Sequence, residues 1–566
     1  DWGAISNRAQ SIIASCDLEM PSSMGYQTSK VIQASQYDEV LRNAVEDSAD
    51  RMLKFIDQYH QAFHQTYDIK YHHQIARIIA RESMVLLKNE GILPLNRDEK
   101  IAMIGEFAFD MRYQGGGSSH INPNKLDQIN EIDKNYSDHI IFSKGYSIKN
   151  PSEDEALLKS AIEVASKVDK VVLFVGLPDS KETEGFDRKT LDIPSSHIRL
   201  IELVSKVNPN VIVVAIAGSV INLGFENQIK GLLMSYLGGQ ASASAMMDLL
   251  YGIENPSGRL AETFIDDVKM CNVQLSEDNH AVYYDESIFI GYRYYNTFNK
   301  KVRYPFGYGL SYTNFEYSKY ELQETEDEFV ISMEITNKGT VTGKEVVQIY
   351  IENNQSSVYK AKRELKQFDK VEIEPNGIAY VCIRLPKSAF EYYDHIQHRF
   401  IKEKGDYKIL VSKNVEDVIH TFNVKLKGET IVHQPLSYHS KTYDTSDFKE
   451  IYLKDLPTKN VKIKRPFDLS STLSDMQNTW MGRIIASIII KEGLRQTEKM
   501  EDEWLKEVAK ETLLETPLRM LALFSNGKIS LYFAEGIIDI TNLKIIKGIR
   551  KIRRDAKEKK LNDRTA

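Results

Sequence analysis

The chain has 566 residues, 42% of them hydrophobic, and a formal net charge of −7 with both signs well mixed. This length predicts roughly three or four domains. The charge balance argues against a nucleic-acid-binding protein, which is normally strongly basic. The most apolar stretch towards the C-terminus, 484–490, is seven residues long, whereas a membrane span needs about 20. We therefore expect neither nucleic acid nor a membrane as a partner.

Two regions with different patterns occupy the first half of the chain. Residues 1–65 are short and mixed, with a helical pattern over 37–59, and are too few for an independent domain. Residues 66–300 alternate apolar runs with amphipathic stretches, which predicts an α/β domain with a mostly parallel sheet. Its predicted strands and helices are the runs 100–107, 171–176, 211–217 and 232–237 and the stretches 153–168 and 197–207.

The pattern changes again in the second half. Over 301–428 apolar residues recur at every second position, as at Phe329, Ile331, Met333 and Ile335, and turn signals separate the runs. This predicts an antiparallel β-sandwich of roughly immunoglobulin type. Residues 429–566 begin as an irregular linker and become helical from about 472. Their basic end, 544–560, is interpreted as a solvated helix face, with contact to an anionic membrane as the alternative.

The three cysteines, Cys16, Cys271 and Cys382, are far apart and lack metal-ligand spacing. Their odd number predicts no disulfide framework. Because free thiols are typical of reducing compartments, we expect a cytoplasmic protein.

Several motifs in this order resemble one enzyme family. They are DWGA (1–4), CDLEMP (16–21), RESMVLLKNE (81–90), QGGGSS (114–119), EGFDR (184–188), NPSGR (255–259), GYRYY (291–295) and YPFGYGLSY (304–312). Together they resemble the C-terminal two-thirds of a retaining β-glucosidase of glycoside hydrolase family 3.

The resemblance implies an architecture. Residues 1–65 correspond to the C-terminal remnant of a (β/α)8 barrel, 66–300 to an α/β sandwich, and 301–428 to a fibronectin-III-like domain, with a linker and helical extension over 429–566. Roughly 200 or more barrel residues would precede Asp1. We therefore expect a chain truncated within the barrel and, by itself, inactive or nearly so.

Retaining glycoside hydrolysis needs a nucleophilic carboxylate and a proton-donating carboxylic acid about 5–5.5 Å apart. The resemblance implies Asp1 as the nucleophile. Glu184 is our acid/base candidate, because it lies in the loop after the strand at 171–176, and sites gather in such loops of open α/β sheets. Glu182 is the alternative, and a solvated loop that carries neither role stays open.

Two loop serines are candidate sugar contacts. Ser118 and Ser119 end the glycine-rich run 114–119, which lacks the lysine and spacing of a nucleotide-binding loop. Glycines let the backbone approach a ligand closely, and hydroxyls can bond a sugar. A plain turn is the alternative.

Trp2 and Arg188 complete the candidate substrate contacts. Trp2 offers an apolar face for a sugar ring or aglycone, with core packing as the alternative. Arg188 would either hold Glu184 in place or pair with Asp187.

A tyrosine cluster and a histidine pair are interpreted as structural and not as parts of a binding site. Tyr292, Tyr294 and Tyr295 could form a stacking platform, but we interpret them as packing at a domain interface. His72 and His73 are adjacent, and neighbours on a helix point in different directions, so we predict no metal site. The family resemblance implies no cofactor.

The leading hypothesis is a retaining exo-β-glucosidase that removes terminal non-reducing β-D-glucosyl residues from a small oligosaccharide or an aryl or alkyl β-glucoside. A β-xylosidase or another β-glycosidase of the family is the nearest alternative. A non-catalytic carbohydrate-binding or scaffold fragment is the alternative from another class. Assembly into a homo-oligomer stays open.

Overall fold

The computed structural model describes residues 3–23, 25–62, 66–149, 154–184, 188–272, 284, 286–353, 356, 358, 360–394, 396–431, 465–495, 503–525 and 529–562. The chain divides into two compact units. The first joins Asp1–Tyr67 to Pro457–Ala566 with the short segment Glu277–Ala281, and the second comprises Asp68–Ser276 and Val282–Leu456. Residues from the two ends of the chain therefore share a unit, which the sequence alone does not indicate.

The N-terminal part of the first unit consists of helices α1 (Arg8–Ile13), α2 (Tyr26–Ser35) and α3 (Glu39–Ala62). The side chain of Asn7 caps α1 by accepting a hydrogen bond from the Gln10 N–H over 3.3 Å, which satisfies a helix-end donor. Ile12, Val31 and Leu41, one from each helix, form a small core. All regular elements within the described residues 3–62 are helices, and the barrel strands implied by the resemblance are not seen there.

A six-stranded sheet forms the centre of the second unit. Its strands are β1 (Val85–Asn89), β2 (Ile101–Ile104), β3 (Ile140–Ser143), β4 (Lys170–Gly176), β5 (Val211–Ile216) and β6 (Gly231–Met234). β1 is antiparallel to β6, and the other neighbours are parallel. All residues of β5 are buried, as expected of a strand covered on both faces. The prediction of a mostly parallel sheet is confirmed.

Among the residues described here, five α-helices accompany this sheet: α4 (Ile69–Ser83), α5 (Ile129–Ile132), α6 (Glu155–Ala165), α7 (Ser195–Val207) and α8 (Ser242–Leu250). α4 and α8 are joined by an ion pair, in which the Arg77 guanidinium contacts Asp248 at 2.7 and 2.5 Å. The Asp248 side chain is completely buried, so it requires this paired charge.

The strand order places two loops side by side. Across the sheet the order is β1-β6-β5-β4-β2-β3. From β2 the chain passes to β3 at the edge and then returns to β4 on the other side of β2. Ligands of open α/β sheets bind outside the carboxyl ends of the strands at such a reversal. The segments that follow β2 and β4 therefore border the expected crevice.

An antiparallel β-sandwich follows the short helix α9 (Tyr292–Thr297). Its sheets have the orders β10-β9-β14-β15 and β11-β8-β7, and a hairpin pairs β12 with β13. The alternating residues Phe329, Ile331, Met333 and Ile335 are all buried in its core, which confirms the predicted β-sandwich. The strands are β7 (Phe315–Glu324), β8 (Glu328–Asn337), β9 (Gly343–Glu352), β10 (Arg363–Ile373), β11 (Ile378–Pro386), β12 (Glu391–Asp394), β13 (Arg399–Lys402), β14 (Gly405–Ser412) and β15 (Val418–Leu426).

The tyrosines of α9 are packing residues, as the sequence predicts. Tyr292, Tyr294 and Tyr295 are all buried. The Tyr292 ring stacks on Phe306 with centroids 4.5 Å apart, and its hydroxyl accepts a hydrogen bond from the Leu365 N–H over 2.9 Å. These contacts join α9 to the sandwich.

Within the described residues of the C-terminal part of the first unit, the regular elements from Leu473 onward are helices, as predicted. Thr472 and Asp475 form a reciprocal capping box at its start, a common helix-initiating arrangement. No helix within the described residues combines the length and hydropathy needed to cross a bilayer. The helices are α10 (Leu473–Met476), α11 (Trp480–Leu494), α12 (Glu503–Glu515), α13 (Leu518–Phe524), α14 (Leu531–Thr541) and α15 (Ile545–Asn562).

Candidate active site

The glycine-rich loop after β2 meets the loop after β4. Gly116 forms an isolated parallel bridge with Thr183, and the Glu184 N–H donates to the Gly116 carbonyl over 3.4 Å. Gly117 has a φ of +85°, and a Cβ there would lie 2.6 Å from the Cβ of Glu184. Glycine is therefore required at 117 both by conformation and by the close approach of Glu184.

Glu184 projects its carboxylate at the exposed end of this junction. Its Oε2 accepts a hydrogen bond from the Ser118 N–H over 2.7 Å. Hydrogen bonding from the Ser118 side chain, then from its backbone N–H, lowers the pKa of Glu184 below its ordinary value, because these bonds favour the ionised form. In this geometry Glu184 is an exposed carboxylate that the glycine-rich loop orients.

Glu182, the alternative candidate, is held very differently. Its Oε1 accepts from the Ser219 hydroxyl over 2.5 Å, and its Oε2 accepts from the Gly218 N–H over 2.7 Å and from Arg112 over 2.8 Å. Burial raises the pKa of Glu182, but these partners outweigh burial and leave the pKa lowered. With both oxygens occupied, this carboxylate is suited to anchoring the loop.

The buried side chain of Arg112 holds the loop that carries Glu184 in place. No sequence pattern indicates this role of Arg112. Its side chain is only 3% exposed. Its guanidinium donates to Asp179 Oδ1 over 2.9 Å, to the Leu177 carbonyl over 2.6 Å and to the Glu182 carbonyl over 3.2 Å. Together with the ion pair to Glu182, these bonds join the segment after β2 to the loop that carries Glu184.

Arg188 lies on the Glu182 side of the loop. It donates to the Ser219 hydroxyl over 2.7 Å and to the Val220 carbonyl over 3.1 Å, and it approaches Glu182 Oε1 at 3.7 Å. Burial lowers its pKa. The predicted pairing with Asp187 lies outside the described residues, and the contacts above involve Glu182 instead of Glu184.

Ser118 and Ser119 are exposed at the tip of the glycine-rich loop. The Ser119 hydroxyl lies 3.4 Å from the Gly116 carbonyl. Asp1 and Trp2 lie outside the described residues, so their predicted roles remain predictions.

A second network, which no sequence pattern indicates, holds the return segment of the glycine-rich loop. Asp127 Oδ2 lies 3.0 Å from His73 Nε2 and accepts from the Ser244 hydroxyl over 2.5 Å. Burial raises the pKa of Asp127, but Lys125, Ser244 and His73 outweigh it and lower the pKa. No group of three or more potential metal ligands occurs among the residues that the structure describes.

Comparisons with known proteins identify the fold and its family. Residues 84–312 match the Glycosyl hydrolase family 3 C-terminal domain, and residues 345–415 match a fibronectin type III-like domain. The chain is 35% identical over 556 residues to thermostable beta-glucosidase B of Acetivibrio thermocellus, covering 96% of this chain and 69% of that protein. The chain belongs to glycoside hydrolase family 3.

Two further comparisons place this family 3 chain among its relatives. It is 37% identical over 448 residues to an exo-alpha-(1->6)-L-arabinopyranosidase of Bifidobacterium breve, covering 76% of this chain and 59% of that protein. The crystal structure of a Bifidobacterium adolescentis GH3 beta-glucosidase superposes with a TM-score of 0.70 at 32% identity, over 86% of this chain and 68% of that chain. The family 3 chain thus spans between 59% and 69% of the length of these relatives.

Proposed function

We propose that this protein acts as a retaining exo-β-glucosidase that hydrolyses terminal non-reducing β-D-glucosyl residues. The observation that carries the proposal is the contact of the Ser118 N–H with the Glu184 carboxylate over 2.7 Å. It presents an oriented, exposed carboxylate beside a glycine-rich loop at the strand-order reversal. Relatives named as β-glucosidases support the substrate class.

The proposed reaction is a double displacement. Asp1 attacks the anomeric carbon while Glu184 protonates the departing glycosidic oxygen, which leaves a glucosyl ester on Asp1. Glu184, now a carboxylate, removes a proton from water, and the resulting attack on the anomeric carbon releases Asp1. Two inversions give net retention and restore both carboxyl groups to their starting states.

Glu184 must be protonated in the first step of this cycle and ionised in the second. Ser118 lowers the pKa of Glu184, which suits the base that the second step needs. The first step needs the acid form. A retaining mechanism requires the two carboxyl groups about 5–5.5 Å apart, and at that separation an ionised Asp1 would favour the acid form of Glu184, because like charges disfavour a second ionisation. We propose that the glycosidic oxygen also replaces the Ser118 N–H as the partner of Glu184 when substrate binds.

The substrate contacts remain part of the proposal. Ser118 and Ser119 would bond sugar hydroxyls from the loop tip, Trp2 would stack on a sugar ring or aglycone, and Arg188 would contribute from the Glu182 side. No cofactor takes part, and the substrate is a small oligosaccharide or an aryl or alkyl β-glucoside.

An exo-arabinopyranosidase is the second candidate, favoured by the 37% identity to the Bifidobacterium breve protein of that name. Arabinopyranose and xylose both lack the hydroxymethyl group of glucose, and an α-L-arabinopyranoside also has the opposite configuration at C4. The glycone preference therefore depends on whether the site requires the hydroxymethyl group and on which orientation of the 4-hydroxyl it accepts.

The test uses protein expressed from its complete reading frame with matched aryl β-glucoside, β-xyloside and α-L-arabinopyranoside substrates. We expect the glucoside to be cleaved with retention. In Glu184→Ala, azide should restore turnover of an activated glucoside as the β-glucosyl azide, whereas Asp1→Ala should give at best the α-azide.

Glu163→Ala on the exposed face of α6 serves as the control. Normal turnover by Glu184→Ala would refute the assignment, and no turnover of any glycoside would favour a non-catalytic carbohydrate-binding protein.

A further inference from the structure

The C-terminal helices lie directly against the backbone that follows the proposed nucleophile. The Arg519 guanidinium of α13 donates to the Gly3 carbonyl over 2.9 Å and reaches the Ala4 carbonyl at 3.5 Å. Gly3 is two positions from Asp1. A residue near the far end of the chain therefore bonds to the peptide segment on which the first catalytic step depends.

Gly3 is enclosed by contacts on other sides as well. Its N–H donates to the Met20 carbonyl over 2.7 Å. Its φ is +74°, and a Cβ at this position would lie 2.6 Å from the Sδ of Met520, the neighbour of Arg519. Backbone hydrogen bonds and a packed side chain thus fix residue 3 from three directions.

A shared apolar core supports this contact. Tyr26 of α2 packs with Ala522, Leu531 and Ala534 of the C-terminal helices. Tyr26 is 3% exposed, and its ring meets that of Tyr532 edge-on with centroids 5.1 Å apart. Burial of a side chain of this size gives the C-terminal helices a firm attachment to residues 3–35.

A polar network closes the same junction. The Tyr26 hydroxyl donates to the Glu535 carboxylate, and the Lys30 ammonium donates to that hydroxyl over 2.5 Å. Lys551 of α15 binds the other oxygen of Glu535 over 3.0 Å. Helices α2, α14 and α15 are therefore joined by charge as well as by packing.

We propose that the C-terminal helical extension positions the catalytic nucleophile and that Arg519 is the positioning residue. This inference rests on the proposed role of Asp1. A nucleophile must be held within tenths of an ångström of its reacting geometry, and the Arg519 bonds fix the backbone two and three positions after it. The similarity to thermostable beta-glucosidase B covers 96% of the chain and so extends into these helices.

The test compares Arg519→Ala, Arg519→Lys and Arg495→Ala in protein expressed from its complete reading frame. Arg495 is the matched control, because it lies in the same extension, is 72% exposed and pairs only weakly, at 3.6 Å, with Glu492. With an aryl β-glucoside we expect kcat of Arg519→Ala to fall roughly 10- to 100-fold, the cost of displacing a reacting group by about 1 Å, with little change in KM. Arg519→Lys should be intermediate, because an ammonium can still donate to the Gly3 carbonyl but lacks the fixed planar geometry of the guanidinium, one nitrogen of which reaches both carbonyls.

Amide hydrogen exchange over residues 3–23 gives a readout that does not depend on activity. Exchange in this segment should be faster in Arg519→Ala than in wild type or Arg495→Ala. Folded Arg519→Ala with wild-type kcat and wild-type exchange would overturn the inference. If Arg519→Ala does not fold, Arg519→Lys decides by the same two measurements.

The two proposals fail in distinguishable ways. If wild type is active and Asp1→Ala is inactive, the proposed function stands. In that case, an Arg519→Ala variant with unchanged kcat and exchange would refute only the positioning role of Arg519. If Asp1→Ala keeps full activity, the assignment of Asp1 fails and the positioning role fails with it, whatever the exchange shows.

Discussion

The Ser118 backbone N–H donates to Glu184 Oε2 over 2.7 Å and joins two loops that are 66 residues apart in the chain. The bond forms because β2 and β4 are neighbours in the sheet, which brings their carboxyl ends to the same edge. The fold thus brings the glycine-rich loop into contact with the carboxylate of Glu184.

Gly117→Ala should disrupt the junction. Its φ of +85° and the 2.6 Å approach of a Cβ to Glu184 mean that alanine would both strain the backbone and displace the carboxylate. We expect a loss of about 1–2 kcal/mol in unfolding free energy from the left-handed conformation, and a large fall in kcat on an aryl glycoside.

Gly91→Ala is the matched control for this substitution. Gly91 has a φ of +73°, but nothing lies within 4 Å of a Cβ at this position. It should show a similar stability loss in urea unfolding with unchanged kcat. Equal kcat for the two variants would contradict the proposed importance of the loop contact.

Ser118→Ala should change the pH dependence of catalysis. The Ser118 hydroxyl lowers the pKa of Glu184, so its removal should raise that pKa. The acid form of Glu184 would then persist to higher pH, and the basic limb of the plot of kcat/KM against pH should shift to higher pH. Ser119→Ala, whose hydroxyl contacts the Gly116 carbonyl at 3.4 Å, should leave the limb in place. A shift to lower pH in Ser118→Ala would exclude this explanation.

The local patterns of the sequence predict the elements, but not the partners that the site requires. Uniformly apolar runs predict buried parallel strands such as β5, and the alternation over 329–335 predicts β8, because both patterns report burial directly. Arg112 leaves no such trace, since a lone arginine in a loop looks the same whether it is solvated or 3% exposed. Its burial depends on Asp179 and Glu182, which approach only once β2 and β4 pair.

The sequence also does not predict that the N-terminal and C-terminal segments pack together in one unit. The hydrogen bond from Arg519 to the Gly3 carbonyl joins residues 516 positions apart. Helical periodicity predicts that the C-terminal segment buries one face, but it carries no information about which surface that face meets.

Arg112→Ala should destabilise the protein strongly. The substitution removes the nearer cation of Glu182, whose side chain is 16% exposed, and leaves Arg188 at 3.7 Å. It also removes three further hydrogen bonds of the same guanidinium. Breaking a buried ion pair from one side costs about 3–5 kcal/mol, and we expect a loss near this range in urea unfolding.

Two comparisons make this result specific. Arg199→Ala removes an arginine that is 44% exposed and lies 3.6 Å from Glu202, and it should cost little, as exposed pairs do. Combining Arg112→Met with Glu182→Gln should recover part of the loss, because it removes the stranded charge. An Arg112→Ala variant as stable as Arg199→Ala would refute the anchoring role.

Glu82 should make stability depend on pH in the acidic range. At the end of α4 it accepts hydrogen bonds from Lys344 of β9 and Lys370 of β10. Burial raises its pKa, but the two lysines outweigh burial and bring the pKa below its ordinary value of 4.5. Burial lowers the pKa of both lysines and Glu82 raises it; the balance leaves the pKa of Lys344 raised and that of Lys370 lowered. Neither lysine loses its charge in acid.

The sign of the effect follows from linkage. Since the folded pKa of Glu82 is depressed, its stabilising contribution is complete above pH 4.5 and is lost as the pH falls through the lower folded value. Glu82→Gln should therefore be less stable than wild type at neutral pH, and the difference should shrink in acid. Glu316→Gln, which removes an exposed pair with Lys338, should change stability little at either pH. Urea unfolding at neutral and acidic pH measures both, and a Glu82→Gln deficit that stayed constant into acid would show that the ion pairs do not govern this junction.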